Sequence, residues 1–158
     1  MIFFEDVAVG AEVALGSFAF EAEDIKRFAR LYDPQAFHLD EEAAKASHFG
    51  GLCASGWHTA SVWMKLMIAD AERAAAAARA RGERPARLGP SPGFKDLKWL
   101  KPVFAGDVLT YASTVVDKRV SASRPGWGLV TTHNRAENAA GERVFEFVAT
   151  VFWERSPG

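Results

Sequence analysis

The stretch from Gly56 to Ala71, GWHTASVWMKLMIADA, decides the fold, because apolar residues recur in it at helical spacing and no helix breaker follows Gly56. One apolar stripe consists of Trp57, Ala60, Met64, Met67, Ile68 and Ala71. Further apolar residues widen this surface beyond that of an ordinary amphipathic helix, namely Val62, Trp63 and Leu66. The pattern predicts one long helix from Trp57 to Arg81 that other elements enclose on several sides, with an alanine-rich last part that projects outward.

Four runs with the composition of β-strands follow this helix, and a weaker run precedes it. The four runs are Phe94–Leu100, Val108–Lys118, Gly128–Ala136 and Glu142–Trp153, and the weaker one extends from about Glu12 to Phe20. Residues 82–93 contain three prolines and three glycines, which predicts a flexible loop without helix or strand. The order of elements predicts an α+β fold in which an antiparallel meander wraps around the long central helix.

Two short helices are predicted on the N-terminal side of the long helix. The first runs over Asp24–Tyr32, where apolar residues recur every three or four positions, and it ends at Asp33 because a proline follows. The second runs over Asp40–Ala46, with Asp40 as its N-cap. Between them lies a proline-containing loop with the sequence Asp33-Pro-Gln-Ala-Phe-His38.

Length and composition limit the class of protein. With 158 residues and 49% hydrophobic content, the chain can form one domain with its own core. Its 19 basic and 20 acidic residues give no basic surface for nucleic acid or anionic membranes, so a small-molecule partner is expected. Cys53 is the only cysteine, and neither a signal peptide nor an apolar membrane-spanning stretch is recognisable, so a soluble cytoplasmic protein is expected.

The pair Asp33 and His38 has two possible roles. A loop can turn a carboxylate and an imidazole toward one water molecule, where one group removes a proton and the other delivers one. In the alternative, Asp33 caps the turn and His38 donates a hydrogen bond to a backbone carbonyl, and spacing alone favours this structural role.

Ser55 and Gly56 also have two possible roles, because they stand where the long helix begins. Free backbone N–H groups at a helix N-terminus can receive an anion or a polarised carbonyl oxygen, and a glycine allows close approach. Alternatively, Ser55 is an N-cap and Gly56 a packing residue.

A metal site is not predicted. His38, Asp40, His48 and His58 lie within a short stretch, but their spacing matches no helical His-Glu-x-x-His arrangement, and there is no pair of cysteines. His48, His58 and His133 are expected to be surface or rim residues, and Cys53 is expected to be a small buried residue rather than a nucleophile.

Several segments together resemble one family. They are Asp24-Ile-Lys-Arg-Phe-Ala-Arg-Leu-Tyr-Asp33, His38-Leu-Asp-Glu-Glu-Ala-Ala44, Phe49-Gly-Gly-Leu52, Ser55-Gly56 and Leu100-Lys-Pro-Val-Phe-Ala-Gly-Asp-Val-Leu109. In this order they are similar to the MaoC-like dehydratases, which include the (R)-specific enoyl-CoA hydratases of the hot-dog fold. The resemblance implies a single hot-dog domain over residues 1–158, with an antiparallel sheet around one central helix.

The resemblance also assigns roles to individual residues. Asp33 and His38 correspond to the catalytic pair, and the N–H of Gly56, next to Ser55, corresponds to the donor for the substrate oxygen. Gln35 stands where the family has asparagine, so it is expected to orient the pair or line the pocket. Ala36 stands in place of a proline, and Tyr32 in place of a frequent glycine.

The reaction implied by the resemblance is hydration of a trans-2-enoyl thioester, or its reverse, in fatty acid metabolism. No cofactor is expected beyond the CoA or acyl-carrier part of the substrate, and the assembly is expected to be a homodimer or a dimer of dimers.

Two alternative functions use the same fold. An acyl-CoA thioesterase would need a carboxylate near the start of the long helix, whereas the first acid on that helix is Asp70. A non-catalytic acyl-thioester-binding protein is the other.

Overall fold

Five antiparallel strands wrap around one long helix in the computed structural model, which describes residues 1–157. The helices are α1 (Ala22–Tyr32), α2 (Ala36–Leu39), α3 (Glu41–Ala46) and α4 (Gly56–Ala80), and a 3₁₀ turn at Phe4–Asp6 precedes them. The strands are β1 (Glu12–Ala19), β2 (Gly93–Trp99), β3 (Val108–Val120), β4 (Trp127–Glu137) and β5 (Arg143–Glu154). The predicted α+β architecture is confirmed, and all predicted elements are found within two residues of their expected ends.

The strand order differs from a simple meander. The sheet has the order β1-β3-β4-β5-β2, so only β3, β4 and β5 follow one another as neighbours, and β2 lies at the far edge beside β5. The reason is the path of the preceding segment: the Gly89 N–H donates to the Phe152 carbonyl at 2.8 Å, and Leu88 forms a bridge with Trp153. The chain is therefore already next to β5 when β2 begins.

The long helix is not enclosed on several sides as predicted, because part of its apolar surface is exposed. Val62 and Trp63 are buried, and the Trp63 ring meets Phe147 of β5 edge-on with ring centroids 4.6 Å apart. The predicted stripe instead contains three half-exposed residues, Trp57 at 51%, Met64 at 48% and Ile68 at 44%. Both faces are apolar in the sequence, so helical periodicity does not decide which one packs on the sheet.

The alanine-rich end of α4 is covered on one side only, whereas Ala76, Ala77 and Ala80 on its other side are exposed. Ala78 is buried, and the amino group of Met1 donates to the carbonyl of Ala74 at 2.8 Å. The N-terminal segment therefore packs against the last turns of the helix.

No helix within residues 1–157 is long and apolar enough to cross a membrane.

Residues 82–93 contain no helix and only the beginning of β2, and one carboxylate fastens them to the sheet. Glu154 at the end of β5 accepts hydrogen bonds from the Arg84 guanidinium at 3.0 Å and from the Arg87 backbone and guanidinium at 2.9 Å. The Arg87 guanidinium, opposed by burial and aided by Arg84, lowers the pKa of Glu154 to about 2. The carboxylate therefore stays ionised at any ordinary pH.

His58, in the first turns of α4, is buried, which contradicts the expectation of a surface or rim residue. Its side chain is 7% exposed, its ring stacks on Phe28 of α1 with centroids 4.6 Å apart, and it meets Phe20 edge-on at 5.0 Å. Its Nδ1 atom is buried without a hydrogen-bond partner among residues 1–157. His58 therefore joins α4 to the helix that ends at Asp33.

We expect His58 to make the fold acid-sensitive. Burial among aromatic rings, only partly opposed by Asp24, lowers the pKa of His58 from 6.5 to about 4. The unfolded chain therefore binds a proton between these two values that the folded chain does not, so the free energy of unfolding is highest above pH 6.5 and falls toward pH 4. At 1.36 kcal/mol per unit the loss amounts to about 3 kcal/mol.

Urea unfolding at several pH values measures this effect, with His58→Leu as the matched variant. The leucine keeps an apolar side chain in the aromatic pocket and removes the titrating group, so its free energy of unfolding should depend less on pH over the same window. Parallel pH dependences in the two proteins would show that His58 is not the group responsible.

Candidate active site

One cavity of about 470 Å³ brings together all five residues singled out in the sequence. It lies between the α1–α2 connection, the N-terminus of α4 and the segment that follows β2. The predicted residues that line it are Asp33, Gln35, His38, Ser55 and Gly56. Its volume is in the range typical of small-molecule sites.

His38 is placed by a helical turn that the sequence did not predict. The one-turn helix α2 starts after Gln35, whose carbonyl accepts the N–H of His38 at 2.9 Å, and the side chain is only 6% exposed. Nδ1 of His38 lies 2.7 Å from the carbonyl oxygen of Cys53, and Nε2 lies 3.4 Å from Oδ2 of Asp33. Because a carbonyl oxygen can only accept, Nδ1 carries the proton, and the lone pair of neutral His38 is on Nε2, facing Asp33.

Asp33 is positioned by the end of α1 and by a neighbouring amide. It is the C-cap of α1, and its Oδ1 accepts a hydrogen bond from Nε2 of Gln35 at 2.8 Å, which leaves Oδ2 directed at His38. Burial raises the pKa of Asp33, but the hydroxyl of Ser55, the Gln35 amide and the neighbouring His38 outweigh it, and the net effect lowers the pKa. Gln35 therefore orients the carboxylate and, after Ser55, contributes to its lowered pKa.

We expect removal of the Gln35 amide to raise the pKa of Asp33. In Gln35→Met the side chain keeps its length but loses the N–H donor, so burial of Asp33 is less well compensated. The titration of the Asp33 carboxyl carbon, followed by NMR, should move to higher pH than in the unaltered protein. Gln35→Asn, which retains an amide, is the control, and an unchanged titration in the methionine variant would contradict the orienting role.

Ser55 and Gly56 form the start of α4 in the way the capping interpretation predicts. The Ser55 hydroxyl accepts the N–H of Trp57 at 3.2 Å, and the Ser55 carbonyl accepts those of His58 at 2.9 Å and Thr59 at 3.3 Å. Within residues 1–157 the N–H of Gly56 has no acceptor, although it belongs to the same first turn. The helix thus presents one free donor where its positive end meets the cavity.

The remaining polar candidates are not arranged as a metal site or a nucleophile. Among residues 1–157 no three His, Cys, Asp or Glu side chains lie close enough together to hold a metal ion. Cys53 is buried as expected, and its burial, together with the charge of Asp33, raises its pKa. His48 is exposed and His133 is partly buried on β4, as predicted for surface or rim residues.

The sequence did not reveal the cavity wall opposite the α1–α2 connection. Trp99 and Leu100, which end β2 and begin the next segment, line the cavity together with Val103 and with Val144 of β5. Val144 is distant in the chain from the other three residues, and no spacing rule connects it to them. Only the sheet order, which places β2 beside β5, brings them to the start of α4.

A five-stranded antiparallel sheet wrapped around one long central helix is the architecture of a hot-dog protein. The model of the MaoC like domain matches residues 7–138 of this chain. The chain therefore belongs to the MaoC-like family of hot-dog proteins.

Individual relatives agree with this assignment. The crystal structure of the MaoC-like dehydratase from Rhodospirillum rubrum is 38% identical, with a TM-score of 0.83 over 100% of both chains. The uncharacterized protein YdeM from Bacillus subtilis (strain 168) is 28% identical over 96% of this chain and 98% of its own. The R-hydratase PhaJ1 from Pseudomonas aeruginosa shares the fold at 22% identity, with a TM-score of 0.67 over 98% of this chain and 87% of its own.

Proposed function

We propose that this protein is a hydratase or dehydratase that adds water to a trans-2-enoyl thioester, or removes it from a 3-hydroxyacyl thioester. The observation that carries the proposal is the pairing of Asp33 with the free Nε2 of His38, in the same cavity as the unoccupied N–H of Gly56. Family membership and the shared fold of an R-hydratase support it.

The pair is suited to binding one water molecule. Nε2 of neutral His38 and ionised Oδ2 of Asp33 are both hydrogen-bond acceptors, so at 3.4 Å they cannot bond to each other. A water molecule has two O–H donors and can bind to both atoms at once. In this position its oxygen is activated and oriented, and the substrate approaches from the open side of the cavity.

The proposed steps balance without another reagent. The water oxygen forms a bond to C3 of the acyl chain, and one water proton moves to Nε2 of His38. The electron pair of the C2–C3 double bond moves toward the thioester, giving an enolate. Nε2 then returns its proton to C2, so that both additions occur on the same face and the enzyme regains its starting state. Asp33 stabilises the transient imidazolium and remains ionised throughout.

The N–H of Gly56 is the donor that we assign to the thioester oxygen. Negative charge develops on this oxygen as the enolate forms, and a fixed donor at the positive end of a helix stabilises it without reorganisation. No cofactor takes part in this scheme, since water and the acyl thioester contain all reacting atoms.

The thioesterase alternative lacks a matching carboxylate. Asp70 lies 14 residues after Gly56 on α4, which corresponds to about 21 Å along the helix, and it pairs with Arg73. Within residues 1–157, Asp33 is the only carboxylate that lines the cavity, and its Oδ2 faces Nε2 of His38 at 3.4 Å. Hydrolysis of a saturated thioester would therefore have to use the same pair that we assign to hydration.

An absorbance screen across trans-2-enoyl-CoA chain lengths, from crotonyl-CoA to dodecenoyl-CoA, tests the proposal. We expect loss of the enoyl absorbance and appearance of the 3-hydroxyacyl thioester by mass spectrometry. Release of free thiol from saturated acyl-CoA would instead establish a thioesterase. Binding of acyl-CoA without conversion of any chain length would establish a non-catalytic binding protein.

We further propose that two copies assemble side by side. β2 is paired on one edge only, by β5, and its residue Phe94 is exposed. The stripe of Trp57, Met64 and Ile68 on α4 is half-exposed as well. A second copy would cover these apolar side chains and pair with the open strand edge.

We expect Met64→Glu to convert a dimer into a monomer. A carboxylate in the middle of the covered stripe would lose its hydration on association, which disfavours the dimer. Light scattering coupled to size exclusion measures the mass. Val120→Glu, an equally exposed apolar position at the end of β3, is the control and should remain dimeric. A dimer that persists in Met64→Glu would contradict this arrangement.

A further inference from the structure

The indole ring of Trp99 lies directly against Gly56. A β-carbon built on Gly56 would be 2.5 Å from Nε1 and 2.7 Å from Cδ2 of Trp99, which is too close for any side chain. Because these atoms belong to the five-membered part of the indole, that part of the ring covers the position which a side chain would occupy. Only a glycine permits this contact.

Trp99 is held in this position by its surroundings. Its backbone pairs with Phe145 at the end of β2, and the N–H of Leu100 donates to the carbonyl of Val144 at 2.8 Å. Its ring also meets Trp57 edge-on, with centroids 5.1 Å apart. Trp99 is 44% exposed and lines the cavity that contains Asp33 and His38.

The contact with Gly56 places the ring next to the reacting part of the substrate. The nitrogen of Gly56 lies one bond of about 1.5 Å from the Cα beside the ring, and a thioester oxygen that accepts from its N–H lies about 2.9 Å from that nitrogen. The carbonyl carbon is bonded to this oxygen, and C2 is bonded to the carbonyl carbon. The substituents of C2 therefore compete for space with the indole.

We propose that Trp99 is the residue that selects acyl thioesters without a branch at C2. The proposal rests on the proposed function, because it takes the position of the thioester from the Gly56 donor. An unbranched acyl chain fits beside the indole, whereas a methyl group on C2 collides with it. Discrimination against one additional methyl group in an apolar pocket is typically about 10- to 200-fold.

Kinetics with two substrates test the inference. The unaltered protein should hydrate crotonyl-CoA in strong preference to tiglyl-CoA, which differs by a methyl group on C2. In Trp99→Ala the ratio of the two kcat/KM values should fall by at least about 10-fold. Leu100→Ala is the matched control, because Leu100 is adjacent, lines the same cavity and is similarly exposed, and it should leave the ratio unchanged. An equal loss for both substrates in Trp99→Ala would overturn the inference.

A binding measurement separates this inference from the proposed reaction. Calorimetry with butyryl-CoA and 2-methylbutyryl-CoA requires no turnover, and the same change in preference is expected between the unaltered protein and Trp99→Ala. Absence of hydration together with this change would refute the hydratase assignment and retain the selectivity of Trp99. Hydration of crotonyl-CoA with an unchanged preference in Trp99→Ala would refute the selectivity alone.

A double-mutant cycle tests the contact itself. Gly56→Ala keeps the backbone N–H but adds the β-carbon that collides with the indole, so it should weaken butyryl-CoA binding and lower the unfolding temperature. In the Trp99→Ala background, Gly56→Ala should reduce butyryl-CoA binding and the unfolding temperature much less, because the β-carbon no longer meets the indole. Equal reductions of binding and of the unfolding temperature in both backgrounds would show that the ring does not occupy this position.

Discussion

Asp33→Asn and His38→Asn should each reduce kcat for enoyl-thioester hydration by about 10³-fold, the usual contribution of a positioned acid–base group. Asp33→Asn keeps the shape of the side chain but removes the charge that binds the water and stabilises the imidazolium. His38→Asn removes the lone pair that takes the proton. Because the two groups act on one water molecule, the double variant should be little worse than either single variant.

Asparagine is chosen at position 38 so that a loss of activity does not result from a loss of stability. His38 donates from Nδ1 to the buried carbonyl of Cys53, and alanine would leave that carbonyl without a partner, at a cost of about 1–3 kcal/mol. The amide of asparagine can still donate to it. Far-UV circular dichroism and the unfolding temperature should therefore remain close to those of the unaltered protein in both variants.

The chain offers a matched control pair outside the cavity. His133 on β4 and Glu146 on β5 also form a histidine–carboxylate pair, with Nε2 and Oε2 3.3 Å apart. His133→Asn and Glu146→Gln should retain hydratase activity, because neither residue lines the cavity. Hydration at an unaltered rate in either Asp33→Asn or His38→Asn would remove these residues from the mechanism.

The fold could be predicted because its elements are encoded locally. The long helix follows from the uninterrupted apolar run after Gly56, and Asp40 was identified as the N-cap of α3, where it accepts the N–H of Ala43 at 2.8 Å. The choice of face on α4 and the pairing of β2 with β5 depend on contacts between distant segments. Periodicity contains no information about those contacts.

The site could be predicted in part for a similar reason. Asp33, His38 and Gly56 were identified from the order of short motifs, and the structure places them around one cavity. The sequence left open whether His38 donates to a backbone carbonyl or takes part in proton transfer. The structure shows that these roles are compatible, since Nδ1 makes the carbonyl contact and leaves Nε2 free.

The position of Trp99 could not be anticipated, because no motif marks it. Its contact with Gly56 arises only when β2 returns to the start of α4. Trp99 also changes how the oxyanion donor can be tested, since any side chain at position 56 collides with its ring. A test of the Gly56 N–H therefore has to be made in the Trp99→Ala background.

In that background, Gly56→Pro deletes the donor with little change in structure. Gly56 is the first residue of α4, where proline is well tolerated because its φ angle is helical and its missing N–H has no partner within the helix. Proline also requires an extended conformation of the preceding residue. Ser55 already has φ −56° and ψ 140°, so the cap and its hydrogen bond to the Trp57 N–H can persist.

We expect Gly56→Pro with Trp99→Ala to have a kcat about 10²- to 10³-fold below that of Gly56→Ala with Trp99→Ala, the range for loss of one oxyanion donor. Both double variants contain the additional β-carbon, and proline also replaces the N–H hydrogen by Cδ, so binding of saturated butyryl-CoA measures the remaining steric difference. Binding of saturated butyryl-CoA should differ far less, because the donor acts mainly on charge that develops during the reaction. Equal kcat values in two folded double variants would show that the Gly56 N–H does not stabilise the enolate, and the thioester would then have to be placed elsewhere in the cavity.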